Sequence, residues 1–213
     1  MLTVGPVQEN CFIVRPDGGE RAVIVDPGEE APRLLAAIEQ IGVTLDAILL
    51  THTHFDHVGA VAPLAKATGA PVYCPELEVP VLQDVMAFVP LPGFGPFESW
   101  DPEHTVRGGE TLKLAGMSFD VLFTPGHSPG HVTYATRSGD DEPPQLFSGD
   151  VLFQDSVGRT DLPGGDGPTL LRSIALLLES FEDGARVYPG HMGLTTLGAE
   201  RASNPFLRQL ANR

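Results

Sequence analysis

Residues 51–57 read THTHFDH, which places three imidazoles and a carboxylate within seven positions. A histidine kept for folding alone needs one good partner, so this density points to metal. Imidazole nitrogen and carboxylate oxygen suit zinc, iron or manganese, and no thiolate stands in the cluster. His52 and His54 are two apart and face the same way on an extended segment. Asp56 and His57 follow where the chain turns into a helix. One loop can therefore offer two imidazoles to one ion, then a carboxylate and an imidazole to a second. Three more candidates lie elsewhere: His127 in TPGHSPGH, Asp150 in FSGD and His191 in YPGH. Asp56 also suits a helix N-cap. His131 is expected to donate a hydrogen bond in support of a ligand rather than bind metal itself, and His104, in DPEHTV, reads as a surface loop histidine.

Strand-length apolar runs bounded by turn residues deliver these groups. CFIV and AVIVD come first, the latter ending at Pro27-Gly28, and LDAILLT carries the chain straight to His52. PVYC, TLKL and VTYAT read as further strands. SFDVLFT ends at Pro125-Gly126-His127, QLFS ends at Gly149-Asp150, and RVYPGH reads as the last strand, ending at His191. APRLLAAIEQIG has helical spacing stopped by Gly42, VGAVAPLAKATG reads as a helix closed by Gly69 despite Pro63, and PTLLRSIALLLESF is a strongly amphipathic helix with Pro168 at its first position. GDDEPP is an acidic turn, and a short helical tail is expected to close the chain. Residues 75–105, rich in proline and aromatics, read as an irregular or partly helical excursion. It either walls a pocket or packs its rings onto the body.

Each histidine or aspartate group thus sits just past a strand, held by the sheet and presented in a loop. Strands and helices mix in both halves, which suggests a layered α/β sandwich: one domain over 1–213 with pseudo-symmetric halves, about 1–105 and 106–213. The net charge of −15 disfavours a nucleic-acid partner. No apolar run has the length of a membrane helix, and the first residues lack the pattern of a signal peptide, so a cytoplasmic protein is expected. Cys11 and Cys74 stand in apolar surroundings without a CxxC pair and read as buried small hydrophobes.

THTHFDH, TPGHSPGH, SGD and PGH, in that order and spread over nearly the whole chain, resemble the metallo-β-lactamase superfamily. The resemblance implies a four-layer αββα sandwich with two divalent metal ions at one edge. It implies that His52, His54 and His127 hold the first ion, that Asp56, His57 and His191 hold the second, and that Asp150 bridges both. Asp26, in VIVDPG, matches an acid that supports the metal loop from beneath. Zinc is the expected metal, with iron or manganese as alternatives.

The β-lactamases proper of that superfamily carry cysteine, serine or nothing where this chain has Asp150. The bridging carboxylate instead suits the thioesterase, lactonase and phosphodiesterase branches. SVGRTDLPGGD, at 156–166, and the ending PGHMGLTTLGAERASNPFLR resemble the glyoxalase II (hydroxyacylglutathione hydrolase) group, in its short single-domain form. The activity so implied is hydrolysis of a small-molecule thioester of the S-2-hydroxyacylglutathione type, with Asp56 orienting the attacking hydroxide. The helical C-terminal domain that grips glutathione in full-length members is expected to be absent. Arg159 either pairs with a substrate carboxylate or pins its own loop. A persulfide dioxygenase with one iron on His52, His127 and Asp150 shares the GRTD element and is the alternative, beside other ester or lactone hydrolases.

Overall fold

A computed structural model describes residues 1–89, 92–139 and 142–209. Pro90 and Leu91 of the excursion, Asp140 and Asp141 of the acidic turn, and the tail from 210 lie outside the described residues.

The chain begins with β1 (Leu2–Val4), β2 (Glu9–Val14) and β3 (Arg21–Val25), then α1 (Ala31–Ile41), β4 (Thr44–Leu49), α2 (Phe55–Val58), α3 (Val61–Thr68) and β5 (Val72–Pro75). Short helical turns follow, among them α4 (Val79–Leu82), before β6 (His104–Val106). These six strands form one sheet in chain order, antiparallel from β1 to β3 and parallel from β3 to β6. The second half supplies β7 (Thr111–Leu114), β8 (Met117–Phe123), β9 (Val132–Thr136), β10 (Gln145–Gly149), a hairpin of β11 (Leu152–Phe153) and β12 (Ser156–Val157), α5 (Gly167–Ser180), β13 (Arg186–Pro189), β14 (Thr195–Thr196) and α6 (Leu197–Ser203). Its main sheet runs β14-β13-β10-β9-β8-β7 and is also mixed, with β10 and β13 parallel.

Three apolar layers hold four layers of structure together. Ala22 and Ile24 of β3 face Leu34 and Ile38 of α1 and Leu64 of α3. Val23 and Val25, alternating with them, face Phe119, Val121, Tyr134 and Phe147 of the second sheet. On the far side Leu146 and Val187 meet Leu170, Ile174 and Leu177 of α5. The result is an αββα sandwich of two mixed sheets flanked by helices. The central strands read as continuous apolar runs because both of their faces are buried. Cys11 and Cys74 are buried and free. No described helix is long and apolar enough to cross a membrane.

Local sequence explains the helices that steady the sheets. Gly42 and Gly69 close α1 and α3 in the left-handed conformation glycine favours, at φ 72° and 71°. Pro63 falls in the first turn of α3, where its missing N–H costs no helical bond. α5 is capped by Asp166, whose carboxylate accepts from Thr169 N, so Pro168 is its second residue rather than its first.

Strand direction then gathers the chemistry. β3 and β4 are parallel, so Asp26 and the 51–57 loop leave the same edge of the first sheet. β8 and β10 are each antiparallel to β9, and β13 is parallel to β10. His127, Asp150 and His191 therefore all leave one edge of the second sheet. Val132 N donates to Thr51 O at 2.9 Å and joins the two edges. Two expectations change here and a third is resolved. The strand read in RVYPGH ends at Pro189, and β14 follows it. His104 opens strand β6, exposed, with its ring 4.5 Å from that of Tyr73. The excursion is partly helical in its first part, and Phe94 and Phe97 pack on Phe55 with ring centroids 4.8 and 6.0 Å away.

Candidate metal centre

His52 Nε2 lies 3.1 Å from His54 Nδ1, which lies 2.8 Å from His127 Nε2. Three ring nitrogens from two sheets thus point at one small volume. Their tautomers follow from what the opposite nitrogens meet. His127 Nδ1 donates to the Arg159 carbonyl at 2.8 Å, which leaves Nε2 with a free lone pair. Thr51 Oγ1 donates to Asp26 Oδ2 at 2.6 Å and so accepts from His52 Nδ1 at 3.0 Å, which frees His52 Nε2 in turn. Burial, with neighbouring imidazoles, pushes His52 well down and lowers His54 to about 4. Both are neutral at physiological pH. Three converging ring nitrogens suit a cation and little else.

Beside them stands a second group, Asp56, His57 and His191. Asp56 Oδ2 is 3.2 Å from His191 Nε2 and 3.9 Å from His57 Nε2. Asp150 lies between the groups: Oδ2 is 3.4 Å from His127 Nε2 and 3.6 Å from His191 Nε2, and Oδ1 is 3.4 Å from His57 Nε2. His57 Nε2 and Asp150 Oδ1 are buried and lack a well-formed hydrogen bond. Orphaned buried polar atoms that face one another are what an ion would satisfy, so the residues fit a pair of cations. Burial alone would lower His57 and His191, but the carboxylates of Asp150 and Asp56 raise both. Burial would raise Asp56 and Asp150, and the same histidines hold both low instead.

Supporting contacts fix these side chains. Asp26 accepts from Thr51 N at 2.7 Å and faces His57 Nδ1 at 3.1 Å, so it holds the loop and orients that imidazole. Toward Asp150, His131 accepts rather than donates. Its Nε2 accepts the Asp150 N–H at 3.1 Å and its Nδ1 donates to Thr124 Oγ1, while its ring stacks on His52 at 5.0 Å. Asp56 does not cap α2; His54 precedes that helix and Asp56 lies inside its first turn. A Cβ at Gly190 would strike Asp150 Oδ1 and stand 2.6 Å from His57 Cε1, so only glycine lets His191 close on the cluster. The Arg159 guanidinium is exposed and pairs with Asp161 through two bonds of 2.7 and 2.8 Å.

Two buried carboxylates were not anticipated. Glu9 opens β2 fully buried, with Oε1 3.9 Å from His57 Nδ1 and neither oxygen hydrogen-bonded. Glu78, in the excursion, is buried against the loops on both sides of the imidazole trio. A charged residue opening the apolar run ENCFIV was the available signal for Glu9. Nothing local marked Glu78. His52 and His57 are wholly buried, whereas His54, Asp56 and His191 are half-buried and form the open face.

A family model for the metallo-beta-lactamase superfamily matches residues 4–191. Hydroxyacylglutathione hydrolase GloC of Haemophilus influenzae is 38% identical over 97% of this chain and 96% of its own length. Two solved structures are similar throughout. BLEG-1 B3 metallo-beta-lactamase has a TM-score of 0.88 at 40% identity, covering 96% of this chain and 97% of that one. TTHA1623 in a di-iron-bound form has a TM-score of 0.78 at 44% identity, covering 97% and 98%.

Proposed function

The chain belongs to the metallo-beta-lactamase superfamily, and on that premise we propose that it is a binuclear metallohydrolase cleaving thioesters of the S-2-hydroxyacylglutathione type. The observation that carries this reading is Asp150, one carboxylate within 3.4–3.6 Å of imidazoles from both groups. His52, His54 and His127 would hold one ion, Asp56, His57 and His191 a second, with Asp150 shared. Zinc is the ion proposed; iron and manganese suit the same ligands, and a relative carries two irons. Bound there, the ions supply an activated water at neutral pH and polarise the substrate carbonyl.

The chain's own residues do the rest. Asp56, at the open face, orients the attacking water by accepting a hydrogen bond from it. Asp26 keeps the His57 Nε2 lone pair directed inward, and the Arg159 carbonyl does the same for His127. The substrate enters over His54, Asp56 and His191. A thiolate leaves without a strong general acid, and the site needs none. The similarity to GloC over both full lengths supports the thioester among possible acyl substrates.

The test is a set of assays on one preparation with its metal content measured: thiol release from S-lactoylglutathione, oxygen uptake with glutathione persulfide, and opening of a chromogenic β-lactam. Thiol release that depends on about two ions per chain is expected. Oxygen uptake with a single iron would replace the hydrolase by a dioxygenase on His52, His127 and Asp150. β-Lactam opening faster than thiol release would move the substrate to that of the B3 relative.

A further inference from the structure

Glu78 ends a short helical turn, Glu76–Glu78, just after β5, and is 3% exposed. Its Oε2 accepts from Thr53 Oγ1 at 2.8 Å. Its Oε1 accepts from Ser128 Oγ at 2.6 Å and from Gly130 N at 2.7 Å. Thr53 is the residue between His52 and His54, and Ser128 is the residue after His127. A single carboxylate therefore grips the immediate neighbours of all three imidazoles whose nitrogens converge. Those imidazoles come from different sheets, with His54 and His127 separated by 73 positions. The fit is close: a Cβ on Gly130 would come within 2.7 Å of Glu78 Cγ.

Burying a carboxylate is costly unless hydrogen bonds compensate, and three donors do so here. Among the described residues no Lys, Arg or His lies within ion-pair distance of Glu78. Asp150 is shared with the second group, and Asp26 reaches His52 only through the Thr51 hydroxyl. A buried carboxylate one residue removed from each imidazole would add to the negative charge that a cation there needs.

We propose that Glu78 is a positioning residue for the first metal site: it clamps the 51–57 loop to the 124–131 loop and places a compensating charge beneath His52, His54 and His127. The proposal rests on the two-ion reading above. Its test is a cobalt(II) titration of chelator-treated wild type, Glu78→Ala and Glu78→Gln, followed by visible absorption, with folding checked by circular dichroism. Wild type should bind two ions. Glu78→Ala should weaken one site about 10- to 100-fold, as loss of an outer support does, and leave the other unchanged. Glu78→Gln, which keeps volume and an acceptor oxygen, should weaken the same site by less, which isolates the charge. If Glu78→Ala does not fold, Glu78→Gln carries the test. Wild-type affinity at both sites in the folded variants would overturn the proposal and leave the two-ion reading intact. A wild type that binds no ion would overturn both.

Discussion

The two halves of the metal centre are built to opposite electrostatic rules. His52, His54 and His127 meet nitrogen to nitrogen, and burial keeps His52 and His54 neutral, with His54 lowered to about 4. Asp56, His57 and His191 meet carboxylate to imidazole, and Asp56 and Asp150 overcome burial to raise both His57 and His191. One side of the centre offers ready lone pairs. The other holds protons as counter-ions wherever no cation takes their place. A single loop supplies both, so the contrast comes from what the second sheet brings to it: an imidazole to one side, an imidazole and a shared carboxylate to the other.

Asp150→Ala should abolish that contrast, because Asp150 alone approaches imidazoles from both groups. The expected outcome is loss of at least one ion per chain and a fall in kcat/KM for thioester of more than about a hundredfold, beyond the loss seen for outer supports. Elemental analysis and a thiol-release assay read both quantities. His57→Ala should remove only the second ion; full activity in that variant would favour chemistry at one ion.

Acidification should separate the two sites. Below the raised values of His57 and His191, each bound proton must leave before a cation enters, so second-site affinity should fall about tenfold per pH unit per proton. His54 is neutral down to about pH 4 and burial pushes His52 well down, so the first site should lose affinity less steeply than the second between pH 8 and 5. Zinc titrations of chelator-treated protein across that range should show two affinities that diverge as pH falls. Parallel curves would mean that the two sites share one electrostatic environment.

Asp26→Asn probes the same contrast from beneath. Asp26 meets His57 directly at 3.1 Å but reaches His52 only through Thr51. Second-site affinity should drop about 10- to 100-fold and first-site affinity by less. Equal losses would show that the support acts through the whole loop.

Much of this arrangement was legible in the chain. Apolar runs that end in Asp, His or Gly-His mark where strands stop, and each such ending falls at one edge because the strand directions agree. The αββα layering was readable because continuous apolar runs alternate with amphipathic helices. What escaped has one physical cause. Glu9 and Glu78 find their roles in partners far away in sequence, and local pattern is silent about those. His131 spacing suggested a donor, but toward the cluster its Nε2 meets the Asp150 N–H and accepts, while Nδ1 turns away to Thr124. β11, β12 and β14 are two residues each, too short for periodicity to reveal.

Adjacent positions 158 and 159 set the smallest expected effect against a large one. At Gly158 a Cβ would overlap the Asp150 carbonyl, so Gly158→Ala must displace the main chain that carries the shared carboxylate. At Arg159 the part that matters is the backbone carbonyl, which accepts from His127 Nδ1 in any variant that keeps the loop. Its guanidinium is 61% exposed and bonded to Asp161, and exposed pairs of this kind contribute about 0–1 kcal/mol. Arg159→Ala should therefore leave metal content and kcat unchanged and shift stability by no more than about 1 kcal/mol. A rise of tenfold or more in KM for a glutathione thioester would show that Arg159 leaves Asp161 to meet a substrate carboxylate. In that case the difference between the two positions would be one of specificity against structure, not of structure against nothing.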